Sequence, residues 1–416
     1  MPGIVDYYVK SKQYLRGNVV GRFPRDIWVI TAIQLVASAG FSICLPFMPL
    51  YLYQERGLVM TLVGTLFLVS GIFSSATQMV GGVLSDRIGR RPLLLGASVV
   101  RLFLYSGLAG LMAVSAPVWA IIIVFIAGQS AGMMMRPAIT AMVADLAPPD
   151  RLTETYGMLR VGQNVGWAMG PAVGGYLIMF MPYAWLFGVT ALSSVITLGL
   201  IFLFLRESHT GSTEHVEYRT MFTAATDRTF LWFTVLCLLV FLVMGQLGST
   251  LSVFTVEKMG LSTAQYGMLL TANGIIVVLF QYPVARWAGQ LAKARGLVLG
   301  SLLYGIGWLS LSWTGDFSWA LVSIAIVTAG EIVFTPLTAS TVGQLAPPDQ
   351  RGRYMGFFGL SQSLSMSLAP LVGGVLLDVF PLQPWFIWGT ICTIALVAAA
   401  GFIRWGNTRR IREGIS

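Results

Sequence analysis

Charge is the component that this sequence most lacks. Only 10% of the 416 residues are Asp, Glu, Lys or Arg, whereas 56% are hydrophobic and the mean hydropathy is +0.76. A soluble domain needs about 25% charged residues to cover its surface. The composition therefore excludes an ordinary soluble protein and indicates a chain whose main solvent is lipid.

Histidine and cysteine are also scarce. The two histidines are His209 and His215, and the three cysteines, Cys44, Cys237 and Cys392, all fall in hydrophobic stretches. These cysteines are expected to be small buried side chains, with neither a disulfide framework nor a metal site. No HExxH or Walker motif is present, so we expect neither an enzyme nor a bound cofactor or metal.

Long apolar stretches are abundant instead. A helix needs about 20 largely apolar residues to cross a hydrocarbon core of roughly 30 Å, because lipid cannot satisfy free backbone groups. The sequence therefore predicts an all-α membrane protein with 12 transmembrane helices. The predicted spans cover residues 27–52, 58–84, 93–115, 117–145, 154–179, 182–205, 228–256, 264–285, 297–314, 318–345, 354–377 and 384–403.

One long polar interruption divides these spans into two sets of six. We therefore expect two six-helix bundles that are joined by a linker on the same side of the membrane as both termini. The predicted segments are an N-terminal segment at 1–26, a first bundle at 27–205, a linker at 206–227, a second bundle at 228–405 and a tail at 406–416.

The distribution of Lys and Arg predicts the orientation of the chain. Of 26 such residues, three lie inside spans, two (Arg56 and Lys258) lie on one face, and the other 21 lie on the face that carries the termini. The positive-inside rule makes that face cytoplasmic, so both termini are predicted to be cytoplasmic in a multi-pass protein of the cell inner (plasma) membrane. The net charge of +9 then reflects topology, and no nucleic-acid partner is expected.

The first span does not have the form of a cleavable signal peptide. It begins after residue 26, is too long for a signal core and has no convincing small-residue cleavage site. We therefore expect the N-terminal segment to be retained.

The two halves are copies of one plan. At an offset of 199 residues, identical residues recur at helix ends and in helix interiors. Six helices in each copy give both halves the same orientation, so we predict a pseudo-two-fold axis along the membrane normal, a central cavity and transport by alternating access. The matched positions include 146–150 with 345–349, Pro171 with Pro370, and Gly174-Gly175 with Gly373-Gly374.

A charged, glycine-containing loop follows the second span. Its sequence, GVLSDRIGRR at 82–91, resembles the signature of the major facilitator superfamily between helices two and three. The resemblance implies the major facilitator fold and a cytoplasmic latch that closes the halves in the outward-facing state. An ordinary positive-inside turn is the alternative. The residues that the resemblance assigns to this conformational latch are Gly82, Asp86, Arg87, Gly89, Arg90 and Arg91. The stretch 136–151 resembles the end of helix four in multidrug members of the superfamily, and that resemblance adds Asp145 to the latch.

The fifth span carries small residues four apart, which allow two helices to pack backbone against backbone. This stretch resembles the antiporter motif of drug/proton exchangers in the same superfamily, and the resemblance implies export. Ordinary helix packing is the alternative. The motif residues are Gly166, Gly170, Pro171, Gly174 and Gly175.

Four ionisable residues lie deep inside spans, where a charge is costly unless it is paired or hydrated. Arg101, Arg136 and Arg160 are placed to line one polar vestibule near the cytoplasm, or to bind between helices. Glu331 lies near the midplane of the tenth span, and its counterpart at the offset is Gly132. Because the shared scaffold does not require this acid, we predict that it couples proton movement to transport; a structural hydrogen bond is the alternative.

The sequence around Glu331 is similar to that of bacterial multidrug/proton antiporters of the LmrP and MdtH kind. The resemblance implies proton-coupled export of amphipathic or cationic small molecules, energised by the proton gradient, with protons, substrate and lipid as partners and a monomeric chain. A nutrient, sugar or organic-anion importer or facilitator of the same fold is the alternative. The candidate cavity residues are Gln34, Ser38, Gln129, Arg136, Arg160, Asn164, Gln246, Asn273, Glu331 and Gln362.

Overall fold

The computed structural model describes residues 23–148, 151–208, 223–313, 315–347 and 350–413. Most of the predicted linker, with both histidines, lies outside these residues, as does most of the N-terminal segment. The described chain forms 12 long helices in chain order. These are α1 (Arg25–Glu55), α2 (Met60–Ile88), α3 (Arg90–Ala113), α4 (Val118–Leu146), α5 (Leu152–Ile178), α6 (Ala184–Phe204), α7 (Arg228–Lys258), α8 (Thr263–Ala288), α9 (Lys293–Trp313), α10 (Phe317–Leu345), α11 (Arg351–Val379) and α12 (Pro384–Glu413).

The predicted all-α membrane architecture is confirmed. Within the described residues, 11 of these helices are long and apolar enough to cross a membrane. The exception is α5, whose mean hydropathy is lowered by glycines and by polar residues such as Arg160 and Asn164. We call the side on which α1 begins and α12 ends the terminal face, and the other side the opposite face.

The first helix of each half is broken at the same level. A 3-10 turn at Leu45–Phe47 interrupts α1, and a 3-10 turn at Gly245–Leu247 interrupts α7. Each helix then ends in a π turn, at Tyr51–Glu55 and Phe254–Lys258 respectively. Such breaks within the membrane are tolerated where the backbone faces protein or a cavity, so the paired interruptions mark the level of the central site.

Glycines on α5 bring its backbone against α1. A Cβ atom on Gly166 would lie 2.5 Å from the carbonyl oxygen of Leu35, which is closer than real Cβ atoms come. The hydroxyl of Ser42 on α1 also donates to the carbonyl oxygen of Gly166 at 3.0 Å. Four glycines of α5 (Gly162, Gly166, Gly170 and Gly174) contact α1 in this way, so the predicted small-residue face packs inside the first half.

The repeated glycine pair performs the same task in both halves. Gly174 contacts α1 and Gly373 contacts α7, so the first glycine of each pair packs on a helix of its own half. Gly175 contacts Thr263 of α8, and the equivalent Gly374 contacts the start of α2, so the second glycine packs across the interface. The two halves therefore meet along α5–α8 and α2–α11, which explains why the pair recurs at the offset of 199.

The halves separate toward the terminal face. On the terminal-face side of the contact between Gly71 and Ser367, α2 and α11 diverge and expose side chains such as Met79 and Met355. A cavity of about 730 Å³ lies between α2, α4, α5 and α11 at this end. We call it the vestibule. The molecule is thus closed at the opposite face and open toward the terminal face.

Candidate functional site

A second cavity, of about 360 Å³, lies between the halves at the level of the breaks in α1 and α7. We call it the central cavity. Helices of both halves contribute to its wall, which is mainly apolar and aromatic. Its apolar lining includes Phe67, Trp167, Met244, Leu270 and Met366. A pocket of this kind suits an amphipathic ligand, because large flexible apolar side chains adapt to varied shapes.

Glu331 forms part of the wall of the central cavity, at the middle of α10. Its Oε2 accepts a hydrogen bond from Nδ2 of Asn273 on α8 at 3.0 Å. The same Nδ2 also donates to Oγ1 of Thr328 at 2.9 Å, one turn before Glu331 on α10. The amide therefore holds the carboxyl group at the surface of the cavity, and Asn273 itself lines the cavity.

The first half contributes polar groups to the same site from α5. Asn164 lines the central cavity, next to the edge-on pair of Trp167 and Phe41, whose ring centroids are 5.7 Å apart. Arg160, one turn nearer the terminal face, is exposed and interacts electrostatically with Glu331. The central cavity thus has a carboxyl group on one half and a guanidinium group on the other half near its opening.

Five of the ten predicted cavity residues line one of the two cavities. Asn164, Asn273 and Glu331 line the central cavity. Arg136 and Gln362 line the vestibule instead, where the exposed guanidinium of Arg136 has a sulfur atom of Met133 as its neighbour at 3.9 Å. Arg160 lies in neither lining; it lies on α5, one turn from Asn164 toward the terminal face.

The remaining predicted cavity residues lie outside both linings. Gln246 is fully buried between α7 and α11, where its Nε2 donates to the carbonyl oxygens of Leu242 and Ala369 and its Oε1 accepts from Thr250. Those bonds satisfy the amide inside the second half. Ser38 packs against Gly166, and Gln129 is buried in α4. Gln34, on α1, is half-buried and is not part of either lining.

Arg101 does not reach the vestibule; it lies between helices, which is the other of the two positions expected for the embedded arginines. It is 5% exposed and lies between α3 and α4, with its guanidinium 5.6 Å from the ring centroid of Tyr105. Its Nη1 lies 3.9 Å from the sulfur atom of Met135. The aromatic face and the polarisable sulfur partly compensate the buried charge. Arg101 is therefore a packing residue of the first half.

The predicted latch residues do not act as one unit in this conformation. Nε of Arg90 forms an ion pair with Oδ2 of Asp145 at 2.9 Å, which joins α3 to α4 within the first half. Asp86 and Arg87, at the end of α2, are exposed, and neither forms an ion pair with another described residue. Because α2 and α11 are apart at this face, a latch between the halves is not engaged.

Glu207 lies in the segment that the sequence predicts as a linker, and no role was predicted for it. Its carboxylate accepts hydrogen bonds from the backbone N–H groups of Arg90 at 3.2 Å and Arg91 at 3.1 Å. It thereby caps the start of α3, just after Gly89, whose φ of +96° favours glycine. The next residue, Ser208, donates to Asp145 at 2.9 Å. The start of the linker is thus fixed to the first half.

Loss of the carboxylate of Asp145 should destabilise the protein strongly. Asp145→Ala leaves the guanidinium of Arg90, whose side chain is only 9% exposed, without its ion-pair partner. Removing one partner of a largely buried ion pair costs about 3 kcal/mol. We expect a clear fall in unfolding temperature in detergent. Asp86→Ala removes an exposed acid that forms no ion pair with another described residue, and it should leave that temperature nearly unchanged. Equal losses in the two variants would contradict this account.

The architecture agrees with comparisons to known proteins. The model of the Major Facilitator Superfamily matches residues 30–267 and 256–413. A Na(+), Li(+), K(+)/H(+) antiporter of Planococcus maritimus is 26% identical over 414 residues, which cover 91% of this chain and 95% of that protein. Multidrug resistance protein MdtH of Photorhabdus laumondii is 24% identical over 92% of this chain and 94% of its own length.

A solved structure shares the fold across the whole membrane region. The crystal structure of a POT family transporter in complex with 5-aminolevulinic acid superposes with a TM-score of 0.78 at 15% identity, covering 92% of this chain and 96% of that chain. An identity this low carries information about the fold alone. Because the family model covers nearly all of the membrane-spanning region, the chain belongs to the Major Facilitator Superfamily of membrane transporters.

Proposed function

We propose that this protein is a secondary active transporter that exports amphipathic or cationic small molecules in exchange for protons. The observation that carries the proposal is the position of Glu331, a carboxyl group in the wall of an apolar cavity between two duplicated halves. A proton and a cationic substrate cannot both occupy one carboxylate. Competition for Glu331 therefore links the entry of a proton from one side to the release of substrate on that side.

Orientation follows from the charge distribution. The terminal face carries most of the Lys and Arg residues, so the positive-inside rule makes it cytoplasmic in a plasma membrane. The conformation described above is then inward-facing, with the vestibule and the central cavity open to the cytoplasm. A substrate in this state would pass Arg136 and Arg160 on its way to Glu331.

The predicted cytoplasmic latch is expected to form in the outward-facing state of the transport cycle. When the halves close at the cytoplasmic face, the ends of α2 and α11 approach each other, and the exposed Asp86 and Arg87 come within reach of the second half. The Arg90–Asp145 pair and the Glu207 cap keep the start of α3 in place for that contact. We propose that these residues stabilise the outward-facing state of a protein that works as a monomer.

A second candidate function has one observation in its favour. Arg136 and Arg160 are both exposed on the path to the central cavity, and two guanidinium groups favour an anion. The α5 motif and the sequence similarity to an antiporter and to MdtH favour export.

Transport by the purified protein in proteoliposomes separates the two functions. A lipophilic cation should be transported in the direction opposite to that in which protons flow down their gradient. It should also raise the unfolding temperature of the protein. Organic acids should do neither. If organic acids stabilise the protein and move together with protons, while lipophilic cations have no effect, the protein is an importer and the proposal of export is wrong.

A further inference from the structure

The closed opposite face contains a carboxylate that joins the two halves. Asp378 lies in the last turn of α11, and its side chain reaches the start of α2 in the other half. Oδ1 accepts a hydrogen bond from the backbone N–H of Met60 at 3.0 Å, and Oδ2 accepts one from the N–H of Thr61 at 2.6 Å. One carboxylate thus pairs with two of the backbone donors that a helix leaves free at its start.

The start of α2 has no cap of its own. The residue before it is Val59, which has no side chain that could accept a hydrogen bond. The equivalent helix of the second half, α8, begins with a complete capping box, in which Ser262 and Gln265 pair with each other's backbone N–H groups. Within the pseudo-symmetric pair, α8 is therefore self-sufficient, whereas α2 depends on an acid from the other half.

A second hydrogen bond joins the two halves at the same face, and its acceptor is again a carboxylate of the second half. Gln54, at the end of α1, donates through Nε2 to Oε1 of Glu257, at the end of α7. Its own Oε1 accepts a hydrogen bond from the hydroxyl of Tyr183 at 2.7 Å, which orients the amide. In both bridges the first half supplies the donor and the second half supplies a carboxylate.

We propose that Asp378 is the latch of the opposite face: it stabilises the conformation closed at that face by capping α2, and the cap must be broken whenever the face opens. This inference rests on the proposed alternating access. A negative charge at a helix start is favoured by the helix dipole as well as by the hydrogen bonds. When α2 and α11 separate, both N–H groups and the carboxylate return to solvent, and that stabilisation is lost.

The latch is not a consequence of the duplicated scaffold. At the offset of 199 residues the counterpart of Asp378 is Met179, so the α5–α8 interface has no equivalent carboxylate. The glycine contacts that close the two interfaces are, in contrast, present in both. Asp378 therefore adds a specific, polar and breakable contact to an interface that already packs closely without it.

Distance measurements between spin labels test this proposal. Labels at Val114→Cys in the first half and Leu382→Cys in the second half report opening of the opposite face, because both positions are highly exposed there. The three native cysteines are buried and stay in place. Asp378→Ala should raise the ratio of open to closed molecules about fivefold to thirtyfold, the effect of losing a charged cap. Asp378→Asn, which keeps one acceptor oxygen, should give a smaller shift.

Asp316→Ala is the matched control. Asp316 caps the start of α10 at the same face by accepting from the N–H of Trp319 at 2.8 Å, but both residues belong to the second half. Its removal should leave the open-to-closed ratio unchanged. An unchanged ratio in both Asp378 variants would overturn the latch.

This readout requires neither substrate nor a proton gradient, so failure of the latch is distinguishable from failure of Glu331 as the coupling group. An equal shift in Asp316→Ala would mean that any lost cap loosens this face, and the specific role of Asp378 would be wrong. A single closed distance in every variant would count against both the latch and alternating access.

Discussion

Glu331→Gln is expected to abolish substrate movement driven by a pH gradient, while exchange of labelled for unlabelled substrate without a gradient continues. Glutamine keeps the size of the side chain and can still accept the hydrogen bond from Asn273. It cannot release a proton, so the competition between proton and substrate disappears. Everted membrane vesicles, in which outward transport becomes uptake, provide the measurement: gradient-driven uptake should fall to the level of vesicles without the protein.

Glu154→Gln is a suitable control for this result. Glu154 is an exposed acid in the first turn of α5, away from the lining of the central cavity. The same chemical change there should leave gradient-driven uptake unchanged. If Glu331→Gln retains full gradient-driven uptake, proton coupling resides in another group, and the role proposed for Glu331 is wrong.

Gly166→Ala is expected to destabilise the protein clearly, although it adds only one methyl group. The added Cβ would meet backbone atoms of α1 on two sides, at 2.5 Å from the carbonyl oxygen of Leu35 and 2.8 Å from the nitrogen of Ala39. Backbone atoms cannot move aside as a flexible side chain can. Separation of α1 from α5 should cost about 1–3 kcal/mol and lower the unfolding temperature in detergent.

Gly157→Ala provides the opposite result on the same helix. A Cβ at Gly157 would meet nothing within 4 Å. Alanine favours a helix over glycine by about 1 kcal/mol, so this variant should be as stable as the wild type or slightly more stable. If both alanine variants behave alike, the small-residue face of α5 is not a close-packed interface, and the account of the α1–α5 contact is wrong.

The regular parts of this molecule were predictable from the sequence because lipid imposes simple rules. Each predicted span has a helix at its place, and Glu331 lies at the middle of α10 because span length alone determines the depth of a residue. Internal duplication identified Gly174-Gly175 and Gly373-Gly374 as equivalent. It could not show that the first glycine packs within a half and the second across the interface.

Side-chain orientation around a helix was not predictable in the same way. Gln246 and Asn273 are both uncharged amides in apolar spans, yet Gln246 is sealed between α7 and α11 and Asn273 lines the central cavity. The distinction depends on the rotation of each helix, which the weak amphipathicity of membrane helices does not determine. Arg101 and Arg136 differ for the same reason.

Contacts between segments that are distant in the chain could not be predicted from the sequence either. Asp378 lies more than 300 positions from the helix start that it caps, and Glu207 lies in a segment that reads only as polar. One signal did exist for Asp378. Asp378 is an acid near the end of a span, and its counterpart at the offset is Met179. As with Glu331, the shared scaffold therefore does not require the acid.

The central claim is that one carboxyl group binds either a proton or the substrate. The most direct measurement is proton release on addition of a lipophilic cation to the purified protein in weakly buffered detergent solution, followed with a pH indicator. The wild-type protein should release protons as the substrate binds, and Glu331→Gln should bind the substrate without releasing any. Equal proton release by the two proteins would contradict the account.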